Sequence, residues 1–128
     1  MLLRIRGSTR HNRFLFKMKK VSKKQTKINK ELKKVYKEIA ETRGHYCTGC
    51  GRSDVPLSHS HYIPRSRRKD LETKINNITY HCLSMGGRKG CHDLWGGGIS
   101  DKQKLMDYHQ AMEYILEQDT EYYFLLTE

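Results

Sequence analysis

Apolar residues recur at three- and four-residue steps in two parts of the chain. Ile28, Leu32, Val35, Tyr36 and Ile39 form one stripe, with lysine over most of the other faces. That pattern predicts an amphipathic helix. Ser22-Lys-Lys-Gln25 marks its start as a capping box, and Arg43-Gly44 its end, because glycine accepts the left-handed position after a helix. Leu105, Met106, Tyr108, His109, Met112, Ile115 and Leu116 form the second stripe. It predicts a helix to about Gln118, opened by a second capping box, Ser100-Asp-Lys-Gln103, with His109 packed in the core. Between the stripes, Leu57 to Ile63 alternates weakly and ends at Pro64, as a short strand does. Ile75 to Tyr80 is a second extended segment, with Ile78 and Tyr80 on one face. Cys91 to Trp95 predicts a short helix, halted by Gly96-Gly97-Gly98. Glu121 to Glu128 is apolar enough to prolong the second helix or to form a strand. Residues 1–20 show no period and read as a basic flexible arm, with Phe14, Leu15 and Phe16 as an apolar knot. The pattern divides the chain into four parts: 1–20, 21–44, 45–99 and 100–128.

A chain of 128 residues that is 36% hydrophobic has a small core, and small cores are commonly stapled by a metal. No apolar run approaches the ~20 residues of a membrane span. The opening MLLRIRG is too short and too charged for a secretory signal, so a cytoplasmic location is expected. The net charge of +11 is unevenly placed. Residues 1–44 hold fifteen Lys and Arg against three Glu, whereas residues 101–128 hold two Lys against seven acids. A basic block of this kind suits a polyanion, most simply nucleic acid. Arg65, Arg67, Arg68 and Lys69 form a second basic cluster and are candidate substrate-binding residues.

All four cysteines lie between Cys47 and Cys91, and five of the seven histidines lie between His45 and His92. In a reducing compartment, Cys47-Thr-Gly-Cys50-Gly51 followed by Cys82 and Cys91 favours a structural zinc over disulfides. Two thiolates three positions apart take adjacent corners of a tetrahedron, and glycines let the backbone fold around the ion. Cys82 and Cys91 complete four ligands, with Met85 to Gly90 read as an inserted flexible loop. His45, His81 and His92 each lie near a cysteine and are alternative donors.

The order CxxCG, His61-x-x-Pro64-Arg65, Asn77-x4-Cys82 and Cys91-His92 resembles the HNH, or ββα-metal, endonucleases, in particular small phage-type members with a four-cysteine zinc site. The resemblance covers about Cys47 to Trp95. It implies an α+β fold: a small ββα-metal core with a zinc knuckle, flanked by the basic N-terminal helix and the C-terminal amphipathic helix. It implies DNA phosphodiester hydrolysis, with RNA not excluded as a substrate. His61 would be the general base and Asn77 the brace of its loop. His92 would be a ligand of a catalytic divalent cation, magnesium first and manganese second. Family members often carry Asp or His directly before the base, where this chain has Ser60, so His59 or, less well, Asp93 would serve as the second ligand. Phage packaging or recombination machinery, or a second copy of the chain, would be the partners. A different reading of the same residues is a non-catalytic zinc ribbon that binds DNA or RNA. A third is a protein that uses zinc for stability alone.

Overall fold

The computed structural model describes residues 22–128, so the basic arm at residues 1–20 lies outside the described residues. Helix α1 spans Lys23–Arg43, as its stripe predicts. The Ser22 hydroxyl accepts from the Gln25 backbone N–H at 3.1 Å. The other half of the capping box is not made, because the Gln25 side chain donates forward to Asn29 instead. Gly44 follows with a φ of 86° and ends the helix. The chain divides into two units between Leu32 and Lys33, so the division falls within α1 rather than at either of its ends.

In the unit 33–128, strands β1 (Leu57–His61) and β2 (Ile78–Cys82) form an antiparallel pair, with Leu57 opposite Cys82 and His61 opposite Ile78. β1 stops two residues earlier than its alternation predicts. The cause is Asn77, whose backbone carbonyl and side chain take the N–H groups of Tyr62 and Ile63. The second extended segment also starts later, since Ile75–Asn77 forms a 3-10 turn before the strand begins. Arg43 at the end of α1 donates to the carbonyls of Ile75 and Ile78, tying the helix end to this turn.

Helix α2 (Cys91–Trp95) follows and packs on both strands. The second capping box does not open a long helix. Ser100 lies inside a short helix, α3 (Ile99–Lys102), and the chain turns before restarting as α4 (Tyr108–Gln118). The break has a physical cause. Met106 N–H donates to the Gly49 carbonyl, and Asp107 is buried against Thr48, Tyr62 and His81. Those bonds draw residues 105–107 toward the cysteine knuckle and out of helical phase. With the phase reset, Ala111, Met112 and Ile115 point inward. His109 is exposed, not packed in the core as the stripe predicts.

Residues 120–127 form a separate helix, α5 (Thr120–Thr127), which lies back against α4. Asp119 breaks the two helices apart with extended backbone and caps α5 by accepting from Tyr122 N–H at 3.1 Å. The core joins Ile63, Leu71, Trp95, Leu105, Met112 and Ile115 to the buried cysteines. Among the described residues the fold is thus α+β, helices with one two-stranded antiparallel sheet. Among the described residues no helix is long and apolar enough to cross a membrane.

Candidate metal centre and cleft

Cys47 and Cys50 sit in the knuckle before β1, Cys82 ends β2, and Cys91 starts α2. Their sulfurs all lie within 4.8 Å of one another. The Cys50 and Cys82 sulfurs are 3.7 Å apart. A tetrahedral zinc with Zn–S bonds of about 2.3 Å needs sulfurs about 3.8 Å apart, so the quartet fits such an ion. Backbone N–H groups of Cys82 and Cys91 donate to the sulfurs of Cys47 and Cys82, as they would to thiolates. Burial alone would push the Cys82 thiol up, but the Cys91 N–H and the neighbouring thiols outweigh it and bring the group down to about 7. Burial raises the Cys47 and Cys91 thiols above their ordinary value, so a bound metal would have to displace their protons.

The segment between Cys82 and Cys91 folds tightly. Met85 and Arg88 bridge across Gly86-Gly87, whose φ angles of 60° and 80° suit a primed hairpin turn. Arg88 then reaches back, with its guanidinium 3.7 and 3.6 Å from the Cys50 and Cys82 sulfurs. Gly49 admits no side chain, since an added Cβ would lie 2.8 Å from the Cys91 sulfur. The alternative donors turn elsewhere. His45 packs edge-on to Tyr80, His81 faces Asp107 at 3.0 Å, and His92 faces Ser60.

Beside the quartet lies an open cleft of about 610 Å³. The end of β1 lines it with His59, Ser60 and His61, the start of α2 with His92, and the following loop with Arg65 and Ser66. His61 Nε2 lies 2.8 Å from the Glu72 carbonyl oxygen. A carbonyl only accepts, so Nε2 carries the proton and Nδ1 presents the lone pair. Burial depresses the His61 pKa below its ordinary value, the Glu72 carbonyl partly restores it, and the nearby Arg65 charge depresses it further. The ring is thus neutral, in a fixed tautomer, at physiological pH.

Asn77 is fully buried, is not part of the cleft lining and makes no hydrogen bond to the His61 ring. Its carbonyl oxygen accepts from Ile63 N–H at 2.8 Å, and its amide donates to the carbonyls of Ile63 and Leu71. It therefore clamps both ends of the loop that carries Arg65 and ends beside Glu72. Asn77→Ala would leave the buried Ile63 N–H and carbonyl unpaired, each worth about 1–3 kcal/mol, while the Leu71 carbonyl keeps its bond from Lys74 N–H. A loss of several kcal/mol in urea unfolding is expected, and Asn77→Asp should not restore it at neutral pH, because a carboxylate cannot donate to the Ile63 and Leu71 carbonyls.

His92 Nδ1 and Ser60 Oγ are 2.8 Å apart. His59 takes a different position. Its ring stacks on Tyr36 at 3.5 Å and leans on Tyr80, and its Nε2 is buried without a partner. Burial, then the His61 and His45 charges, lower its pKa. Asp93 pairs with Ser84. Among the described residues, no second group of three or more His, Cys, Asp or Glu donors converges as the cysteines do. The donor set for a catalytic cation is therefore thin: His92, with Ser60 beside it.

The basic cluster divides. Arg65 lines the cleft and pairs with the buried Glu72 carboxylate at 2.8 Å. Arg67 pairs with Asp119 at 2.8 Å and lies over the Tyr122 ring, and Arg68 pairs with Asp70 and reaches the Gln118 carbonyl. Both pin the α4–α5 junction to the loop. Lys69 is exposed.

Two features escape the sequence pattern. One is the buried network around Asp107, whose Oδ2 accepts from Thr48, Tyr62 and His81. Burial would raise the Asp107 pKa, but these hydrogen bonds outweigh it and hold the carboxyl below its ordinary value. The other is Lys102, which lines the cleft from α3 although lysine on a short helix reads as surface. Compared with known proteins, the chain matches no family model, no curated protein and no solved structure.

Proposed function

We propose that this protein is a metal-dependent endonuclease of the HNH type that hydrolyses DNA phosphodiester bonds. The observation that carries the reading is His61: a neutral imidazole with its proton fixed on Nε2 and its lone pair on Nδ1, in a cleft shared with His92 and Arg65. A general base needs that arrangement, and the spacing of His61, Asn77 and His92 carries the same reading in sequence.

In this reading Nδ1 of His61 takes a proton from the water that attacks phosphorus. Glu72 fixes the tautomer through its carbonyl and aims Arg65 at the phosphate through its carboxylate. Asn77 keeps the loop between them at a constant distance. His92 donates Nδ1–H to Ser60 Oγ, which leaves Nε2 as a donor toward the cleft, so Ser60 orients a ligand rather than supplying one. A divalent cation held there by His92 would supply charge stabilisation at the scissile phosphate and the leaving 3′-oxygen. The cysteine quartet holds a structural zinc that fixes the start of α2, and with it His92, against β1.

The thin donor set around His92 favours one other reading, a zinc ribbon that binds nucleic acid without cutting it. Supercoiled plasmid with magnesium or manganese separates the two. Nicking that chelator abolishes supports the nuclease. Salt-sensitive binding with no cleavage under any divalent cation supports the ribbon and removes the nuclease reading.

A further inference from the structure

Lys102 is 5% exposed, yet its side chain lines the cleft beside His92. Its ammonium donates to the Gly97 carbonyl at 2.6 Å and lies 5.0 Å from the centre of the Trp95 ring. Those are the partners it has among the described residues, and neither carries a formal charge. The neighbouring carboxylate does not neutralise it: Asp101 faces Lys89 at 3.7 Å and Lys104 at 3.4 Å.

Capping the chain after α2 requires a donor but not a charge, and a neutral donor would satisfy the Gly97 carbonyl equally well. A buried ammonium with one neutral acceptor and one ring face is poorly compensated for the hydration it has lost. Burial accordingly shifts its pKa down, with Asp101 opposing. An ammonium offers three donors, and one goes to Gly97. The cleft side is where an anion can complete the set. Arg65, held by Glu72, stands on the same cleft.

We propose that Lys102 is a phosphate-binding residue of the cleft: its buried ammonium takes a non-bridging oxygen of the substrate phosphodiester beside His92. The inference rests on the nuclease reading for the identity of the anion, but not for the existence of an anion site. A point charge with rotatable donors suits this role, because a phosphate that changes shape during hydrolysis keeps at least one oxygen within its reach.

Trp95 is the single tryptophan, and the ammonium lies over its ring, so its fluorescence reports the site directly. Inorganic phosphate titrated into the zinc-loaded protein, without divalent cation and at constant ionic strength in chloride, should change Trp95 emission saturably. Lys102→Met keeps the length and removes the charge; it should weaken phosphate binding roughly ten- to a hundredfold, as loss of a charge-assisted hydrogen bond does. Lys102→Arg should retain most of it. Circular dichroism and zinc content identify a misfolded variant, and if Lys102→Met misfolds, the Lys102→Arg titration and protection of Lys102 from acetylation by phosphate decide the matter.

No saturable response in the wild-type protein, or equal phosphate affinity in wild type and Lys102→Met, overturns the proposal. The two readings fail separately. Phosphate binding that depends on Lys102 without plasmid nicking keeps the anion site and removes the nuclease. Nicking that is undiminished in Lys102→Met keeps the nuclease and removes this role for Lys102.

Discussion

His61→Ala is expected to lower plasmid nicking by about 10²–10⁴-fold, the usual contribution of a positioned general base. DNA binding should be nearly unchanged, because His61 carries no charge at neutral pH and binding draws on the Lys and Arg residues. The reason the effect should be large is preorganisation. Glu72 fixes the proton on Nε2, burial keeps the ring neutral, and Asn77 holds the loop that supplies Glu72. The pH profile tests the same assignment. With His61 as the proposed base, nicking would need its neutral form, and a depressed pKa keeps the ring neutral further into acid. The acidic limb of the rate should therefore fall through a value below the ordinary 6.5 of histidine. Imidazole added to His61→Ala should recover part of the rate if the loss is of the base alone. A variant that nicks as fast as wild type would end the assignment of His61. An acidic limb above 6.5 would contradict the burial and the Arg65 charge that depress this group.

The effect of pH on stability has the same sign. With the folded pKa of His61 below the unfolded one, the unfolded chain binds the proton more tightly. The contribution of His61 to stability is therefore present above the unfolded pKa and is lost as pH falls through the folded one. Activity and stability should decline together on acidification, and His61→Ala should flatten its part of the stability curve.

What the sequence revealed of this molecule follows from how local each determinant is. The α1 stripe, its Ser22 start and its Gly44 end involve neighbours a few residues apart, and the helix forms where they place it. The cysteine spacing is nearly as local, because CxxC geometry belongs to one turn. Position 100 is the contrasting case. Ser100-Asp-Lys-Gln103 has the residues of a capping box, but the turn at 105–107 is decided by Thr48 and Gly49, more than fifty residues away in sequence. Once that turn forms, the phase of α4 shifts and His109 moves to the surface. No periodicity computed along residues 100–118 contains that information.

The cleft divides in the same way. His61, His92 and Asn77 stand out in sequence by type and spacing; in the structure His61 and His92 line the cleft, whereas Asn77 lies outside its lining and braces the Ile63–Leu71 loop. The acceptor that fixes His61 does not stand out in sequence, because it is the backbone carbonyl of Glu72, and a carbonyl has no residue type. Arg67 and Arg68 read as free charges beside Arg65. Their partner Asp119 lies about fifty residues on, at a helix junction that the pattern left undecided. Lys102 is hidden for the opposite reason: its burial depends on the same turn that displaced His109.

Loss of the metal is expected to have the largest effect on the fold. Zinc in small structural sites contributes about 10–16 kcal/mol at neutral pH in finger peptides, which equals or exceeds the whole stability of an ordinary small domain. The quartet joins the knuckle, the end of β2 and the start of α2, three segments that meet nowhere else through covalent or ionic bonds among the described residues. Without the ion, the chain would hold four sulfurs within 4.8 Å, with Arg88 as the one cation donating to them among the described residues. Any thiolates among them would repel, and the buried thiols of Cys47 and Cys91 would lack charge partners. One zinc per chain should be measured by atomic absorption. Removal with a strong chelator should abolish the cooperative thermal transition and expose four thiols to a colorimetric reagent, and zinc should reverse both. Cys91→Ser should behave as the stripped protein does, because the lost ligand is also the first residue of the helix that carries His92. It should therefore lose nicking and the cooperative transition together, whereas His61→Ala should lose nicking while keeping its zinc and its cooperative transition. A stripped protein that keeps its transition and its cleft would mean that the core around Trp95 and Ile115 suffices, and that the quartet does not hold the site in place.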